Sequence, residues 1–330
     1  MHLLIGNYGV KLEVEADRFK ISDAEEIRYA SALKLSSICF LKPGTATTAA
    51  LELAAENEIP VIIINETGDV TAWLWSHRYG TIADIRVNQA FFSRSVAAVQ
   101  WMQQLMQRKL QEQAGVLQWL GTRITAHQLL LTENGQFIAK QSNELGKAHT
   151  MEAIMATEAI ASLHYWGTIT TAMQKYVHIP GREKRGTNDP FNICLNYLYG
   201  FLYGQIEQSL LMAGADPYMG FMHINRHARP ALAFDHIEPF RPWVDRLVIQ
   251  LFMKPNELLP YLVPDEATGK LRIDSSGKKI LLSTYFQFME QRSYLAGKRI
   301  KNKDHIHFLS RELVQTLKKF NPDDTTTHYI

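Results

Sequence analysis

Residues 214–245, GADPYMGFMHINRHARPALAFDHIEPFRPWVD, carry a turn, three histidines, three arginines and a carboxylate pair within one short stretch. His223 stands among apolar residues in GFMHI, whereas His227 lies between arginines and reads as solvated. Asp235 and Glu238 follow three residues apart at the mouth of a helix whose apolar positions are Phe234, Ile237, Val244, Leu247, Val248 and Leu251. Residues three apart share a helix face, so both carboxylates can address one spot. Two readings are open. Asp235 at the N-cap with Glu238 at N3 would satisfy the free amides of a helix start, and Pro239 and Pro242 suit a first turn. Alternatively, His223 and a carboxylate reach into one cleft and hold a divalent cation. An imidazole with hard oxygens suits Mn²⁺ or Mg²⁺. Such a site needs a further protein ligand from elsewhere in the chain.

Glu158 is the candidate. It lies within TMEAIMATEAIASLHYWGTI, the nearly all-apolar part of a helix expected over 148–176. A carboxylate on a buried helix is costly unless it is paired or bound to a cation, so a salt bridge to a neighbouring helix is the competing reading. Tyr165, two turns on along the same face, could position whatever Glu158 binds. Arg182, Lys184 and Arg185 cluster in the loop before the next helix, PFNICLNYLYGFLYGQIEQSLLMAG, which is expected to end at Gly214. These segments can therefore meet at one end of a helical bundle. Residues 298–319 add seven Lys or Arg against two acids, a phosphate-facing surface if they share a face.

The elements that must position these groups follow from periodicity. Residues 1–85 contain short β-branched or apolar runs (HLLIG, VKLEV, RFKIS, KLSSICF, IPVIIIN, DVTAWLW) and one helix-prone segment, TATTAALELAAENE, with a threonine capping its start. IPVIIIN, continuously apolar, is expected to be buried on both faces. This gives a β-rich docking or dimerisation domain, a sheet covered by one helix. From residue 86 the period becomes helical, with one helix over NQAFFSRSVAAVQWMQQLMQRKLQEQ, a less regular segment over 115–150 and a turn at Glu133-Asn134-Gly135. The fold class is thus α+β: residues 1–85 β-rich, 86–320 helical and catalytic, 321–330 a flexible tail. The chain has 330 residues, a formal net charge of +2 and two cysteines, Cys39 and Cys194, in no CxxC pair. A zinc cluster is excluded by count, buried reduced thiols are expected, and no run reaches the length of a membrane span. The expected location is cytoplasmic.

Four segments in order resemble a known family: Glu158 with Tyr165 and Trp166 in EAIASLHYW, then DPFNICLNYLYGFL, then AGADPYMGFMH ending at His223, then RPALAFDHIEPFRPWVD. The chain is similar throughout to the CRISPR-associated integrases, the larger of the two universal spacer-acquisition proteins. The resemblance implies a β-rich N-terminal domain and a helical C-terminal domain, a homodimer, and a larger assembly with the small adaptation partner. It implies Glu158, His223 and Glu238 as ligands of Mg²⁺ or Mn²⁺, with Asp235 adjacent and catalytic. It also implies phosphoryl transfer that joins the 3′-hydroxyl ends of spacer DNA to the leader–repeat DNA. Tyr165, Arg182, Lys184, Arg185, Arg226, Arg229 and Arg241 are the candidate DNA contacts; for Arg241, pairing with a carboxylate competes. His236, Ala231 and Ala159 depart from the family pattern. A transposon-type integrase and a non-catalytic DNA-binding scaffold are the alternative functions.

Overall fold

Strands of four or five residues bury one face at a time, so the N-terminal runs need partners on both edges and a cover. The computed structural model describes residues 2–322 apart from 24, 36, 58, 65–69, 75–81, 184–185, 224–228, 267 and 296–297. It divides into two compact units, residues 1–79 and 80–330. The expected tail over 321–330 lies almost wholly outside the described residues.

The first unit holds two four-stranded sheets rather than one. β1 (His2–Ile5), β5 (Ser37–Phe40), β7 (Val61–Ile64) and β8 (Val70–Leu74) form one sheet in the order β1-β5-β7-β8, parallel except at β8. β2 (Lys11–Glu15), β3 (Arg18–Ser22), β4 (Ile27–Ser31) and β6 (Thr45–Ala46) form the other, in the order β4-β3-β2-β6. Strand β4 had no counterpart among the expected runs because Ala30 is its only buried residue. β7 is paired on both edges, but Ile63 is 47% exposed, so one of its faces is only partly covered. Helix α1 (Thr48–Glu56) starts at Thr47, whose hydroxyl accepts from the amide of Ala50, and its Ala50 and Ala54 join Leu12, Phe19 and Ile38 in the core.

The second unit is mainly helical. The stretch expected as one helix from residue 86 is two, α2 (Ile82–Phe92) and α3 (Val96–Gly121). Between them Ser93 and Ser95 donate their hydroxyls back to the carbonyls of Ala90 and Phe92, offering the backbone an alternative to helix. The expected turn at 133–135 lies inside α4 (Gln128–Leu145). Gly135 is buried on the face of α4 that packs against Ala114 and Leu117 of α3. Helix α5 (Met151–Met173) is capped by Thr150, and α6 (Pro190–Ala213) by Asp189. Gly214 ends α6 at φ 101°, a left-handed conformation that suits glycine.

Three short helical pieces follow: α7 (Ala231–His236), a 3-10 turn over Glu238–Phe240, and α8 (Arg241–Phe252). Pro239 and Pro242 lack the amides that would weld them into one α-helix. The chain continues through α9 (Pro255–Leu258), the hairpin of β9 (Leu262–Pro264) and β10 (Leu271–Ile273), and α10 (Ser275–Glu290). A second hairpin, β11 (Arg292–Leu295) and β12 (Lys298–Lys301), separates α10 from α11 (Asn302–Lys319), where only two helices were expected. Cys39 and Cys194 are buried free thiols. Among the described residues no helix is long and apolar enough to cross a membrane.

His236, one of the positions that depart from the pattern of the resemblance, is fully buried against α3 and α11. Its ring lies over Trp101 at 6.5 Å, its Nε2 is 3.2 Å from the Ser310 hydroxyl, and its Nδ1 has no hydrogen-bond partner among the described residues. Burial pushes its pKa down from 6.5 to about 3, with Arg108 adding repulsion. The imidazole is therefore neutral when folded, and its unfolded counterpart alone takes a proton as pH falls through 6.5. Stability contributed above pH 6.5 is lost between pH 6.5 and 3, by about 1.4 kcal/mol per pH unit for one such group. His236→Phe is expected to flatten that acid limb in urea-unfolding curves measured across this range. An unchanged acid limb would refute the assignment.

Candidate metal centre

The apolar stripe of α3 recurs at Met102, Leu105, Met106, Leu110, Val116 and Leu117, and Lys109 and Gln113 fall in the same phase. Lys109 is thereby carried into the core, with a side chain 8% exposed. Its ammonium stands 2.5 Å from Glu158 Oε1 on α5 and 2.6 Å from Glu238 Oε2 in the 3-10 turn. Ser162, one turn beyond Glu158, donates its hydroxyl to the same Oε1 at 2.6 Å. Glu238 also pairs with Arg241 Nε at 2.9 Å. Burial would raise the Glu238 carboxyl, but Arg241 and Lys109 outweigh it, with His223 assisting, and hold it down at about 2. Burial likewise opposes the Lys109 charge, yet Glu238 and Glu158 raise its pKa above the ordinary value. The expected salt bridge from Glu158 to a neighbouring helix exists. It runs to the residue that also holds Glu238.

Asp235 is not a helix cap. Helix α7 already begins at Ala231, and Asp235, in its last turn and wholly buried, faces back onto residues 221–223. Its Oδ2 accepts from the amides of Phe221 (2.6 Å) and Met222 (3.0 Å), and its Oδ1 from the amide of His223 (3.0 Å). Oδ1 also receives His223 Nδ1 at 2.6 Å. Gly220 permits this approach: a Cβ there would stand 2.7 Å from that of Ala231. The carboxylate accepts from Nδ1 and so orients the half-exposed ring, leaving Nε2 as the nitrogen not engaged by Asp235. The 3-10 turn thus sends Glu238 toward Lys109 while Asp235 serves His223. The pair does not address one atom, as simple helical spacing implied.

The candidate nucleic-acid contacts divide. Tyr165 is wholly buried and donates to Asp245 on α8 at 3.0 Å, so its expected DNA contact is corrected: that face of α5 packs inward. Tyr199 donates to the other oxygen of Asp245 at 2.5 Å. Burial pushes the Asp245 carboxyl up to about 6 against these two hydroxyls. Arg241 lies over Tyr199 and Tyr203, donates to the Tyr203 hydroxyl and pairs with Glu238, which is the competing reading given for it. Arg182 donates to Asn192 and Asn196 at 3.0 and 2.7 Å and lies over Tyr199, tying its loop to α6. Arg229 is exposed. Lys184, Arg185 and Arg226 lie outside the described residues. In the basic C-terminal stretch, Lys301 and Lys303 both pair with Glu290 at 2.6 Å. Lys109, Ser162, Tyr203 and Asp245 were not foreseen; a lysine in phase with the apolar stripe of α3 was the available sign of the first.

The family model described as CRISPR associated protein Cas1 matches residues 3–287. The chain belongs to the Cas1 family. A Cas1-family relative from Korarchaeum cryptofilum (strain OPF8), a CRISPR-associated endonuclease Cas1, is 28% identical over 261 residues, covering 75% of this chain and 76% of the relative. The fold is similar to that of a casposase bound to integration product, with a TM-score of 0.80, 20% identity and coverage of 98% and 93% of the two chains. It is also similar to a chain of a Cas6-RT-Cas1–Cas2 complex, with a TM-score of 0.76, 19% identity and coverage of 98% of this chain and 35% of the other.

The donor chemistry of this Cas1-family site fits a hard divalent cation. Two carboxylates meet at one cationic centre, Glu238 Oε2 is buried with no hydrogen bond of good geometry, and a carboxylate orients the imidazole. Among the described residues no three His, Cys, Asp or Glu already stand in ligating arrangement, and the space between Glu158 and Glu238 is taken by Lys109.

Proposed function

We propose that this chain is a DNA integrase and endonuclease of CRISPR adaptation, joining the 3′-hydroxyl ends of new spacer DNA to the CRISPR repeat with Mg²⁺ or Mn²⁺ as cofactor. The observation that carries the reading is the convergence of Glu158 and Glu238, from different elements, on one buried positive centre, with a carboxylate-anchored His223 near enough to act on the Glu238 charge. Glu158, Glu238 and Nε2 of His223 would hold the cation. When bound it supplies charge stabilisation at the transferring phosphate. In the reaction the attacking 3′-hydroxyl gives up its proton as its oxygen bonds to phosphorus, while the 3′ oxygen of the cut strand leaves and takes up a proton. No covalent protein intermediate is required. Asp235 keeps His223 in one orientation, and Arg241, seated on two tyrosines, holds Glu238 in place. Arg229, Lys184, Arg185 and Arg226 are candidates for contacts to DNA phosphates, where a guanidinium binds in bidentate fashion.

The chain is further proposed to act as a cytoplasmic homodimer, assembled with the small adaptation partner into a larger complex. Similarity to a chain of a Cas1–Cas2 complex supports that partnership. A branched DNA mimicking a half-integrated spacer, incubated with Mg²⁺ or Mn²⁺, tests the reaction. Strand rejoining is expected from the wild type and not from Glu158→Ala. Full activity in the variant would remove Glu158 from the site. No rejoining by the wild type, even with the small partner added, would favour a DNA-binding scaffold.

A further inference from the structure

Lys109 occupies the place where a cation held by Glu158 and Glu238 would sit. Its ammonium is 2.5 Å from one carboxylate and 2.6 Å from the other, and the side chain is nearly sealed from solvent. An ammonium is a compact point charge with three donors, well matched to two carboxylate oxygens. A divalent ion bound to those oxygens at about 2 Å could not share the position with it. The two charges would also repel each other in a weakly screened interior. We propose that Lys109 is the site's resident counter-charge, holding the two carboxylates together without metal and leaving its place when a divalent ion enters.

The inference rests on the reading of Glu158, His223 and Glu238 as cation ligands, and it adds a residue that opposes the ion. Without Lys109 or metal, the buried Glu238 carboxylate and the partly exposed Glu158 carboxylate would lose the cation between them. With Lys109 in place, the ion must displace an ion pair before it binds, which lowers its apparent affinity. The lysine therefore favours ordered carboxylates at the expense of tight metal binding.

Mn²⁺ titration of the full-length protein, by calorimetry and by melting temperature, tests this without reference to activity. Lys109→Met, which keeps volume and removes charge, is expected to melt lower than the wild type without metal and to bind Mn²⁺ at least about tenfold more tightly. Its melting temperature should rise more on Mn²⁺ addition than the wild type's. Lys109→Arg, which keeps a cation, should bind Mn²⁺ no more tightly than the wild type. Lys109→Gln serves if the methionine variant does not fold alone. Mn²⁺ affinity unchanged or weakened in both neutral variants would overturn the proposal. So would failure of Mn²⁺ to restore folding in either, since the incoming ion must take over the counter-charge. Glu158→Ala separates the two ideas: if it abolishes wild-type Mn²⁺ binding while the lysine variants bind no more tightly, the metal site stands and the role of Lys109 falls. If the wild type itself binds no Mn²⁺, both fall.

Discussion

Glu238→Ala is expected to lose strand transfer and also to destabilise the fold by about 3–5 kcal/mol, because the variant removes the carboxylate that faces two buried cations. Arg241 would keep only the Tyr203 hydroxyl and its aromatic neighbours, and Lys109 would keep only Glu158. Glu158→Ala differs. Lys109 retains Glu238, and the Glu158 side chain is 23% exposed, so the stability loss should stay near 1–2 kcal/mol. Activity should fall on the order of a hundred- to a thousandfold in either case. Urea unfolding beside the strand-transfer assay separates the two components. A Glu238→Ala protein as stable as the wild type would show that the Lys109–Glu238–Arg241 chain contributes little.

Asp235→Ala should cost about 3 kcal/mol or more, since it strips the acceptor from the amides of Phe221, Met222 and His223 at once. It should also free the His223 ring, so the loss of activity exceeds what destabilisation explains. Asp235→Asn keeps the shape but presents an amide NH₂ toward donors, and is expected to lower Mn²⁺ affinity about 10- to 100-fold. The informative readout is Mn²⁺ binding below the melting transition. If Asp235→Asn matched the wild type there, Asp235 would be a buried support for the 221–223 turn with no hold on the imidazole that matters to the metal.

The α+β class, the helix end at Gly214 and the approximate extents of α5 and α6 were legible in sequence, because periodicity, caps and glycine report local backbone preferences. Four short segments likewise pointed to Glu158, His223, Asp235 and Glu238, since a carboxylate in an apolar helix and a histidine in an apolar run demand an account. What each residue touches was not legible. Asp235 resembled an N-cap by spacing, yet α7 starts earlier and turns it onto the His223 loop. Tyr165 lies on the same helix face as Glu158, but it is wholly buried and its hydroxyl is committed to Asp245 on α8. Lys109 lies 49 residues from Glu158, and only the crossing of α3, α5 and the 3-10 turn makes it their shared partner. Sequence by itself determined the helical and strand periods and that charges within apolar runs needed partners, but not which apolar side chains are covered: Met155, Ile160 and Leu163 on α5, a helix expected to be buried, are 50%, 50% and 75% exposed. Tertiary structure decided both that burial and the pairing, because the partner of a buried charge depends on which distant helix the packing brings within 3 Å.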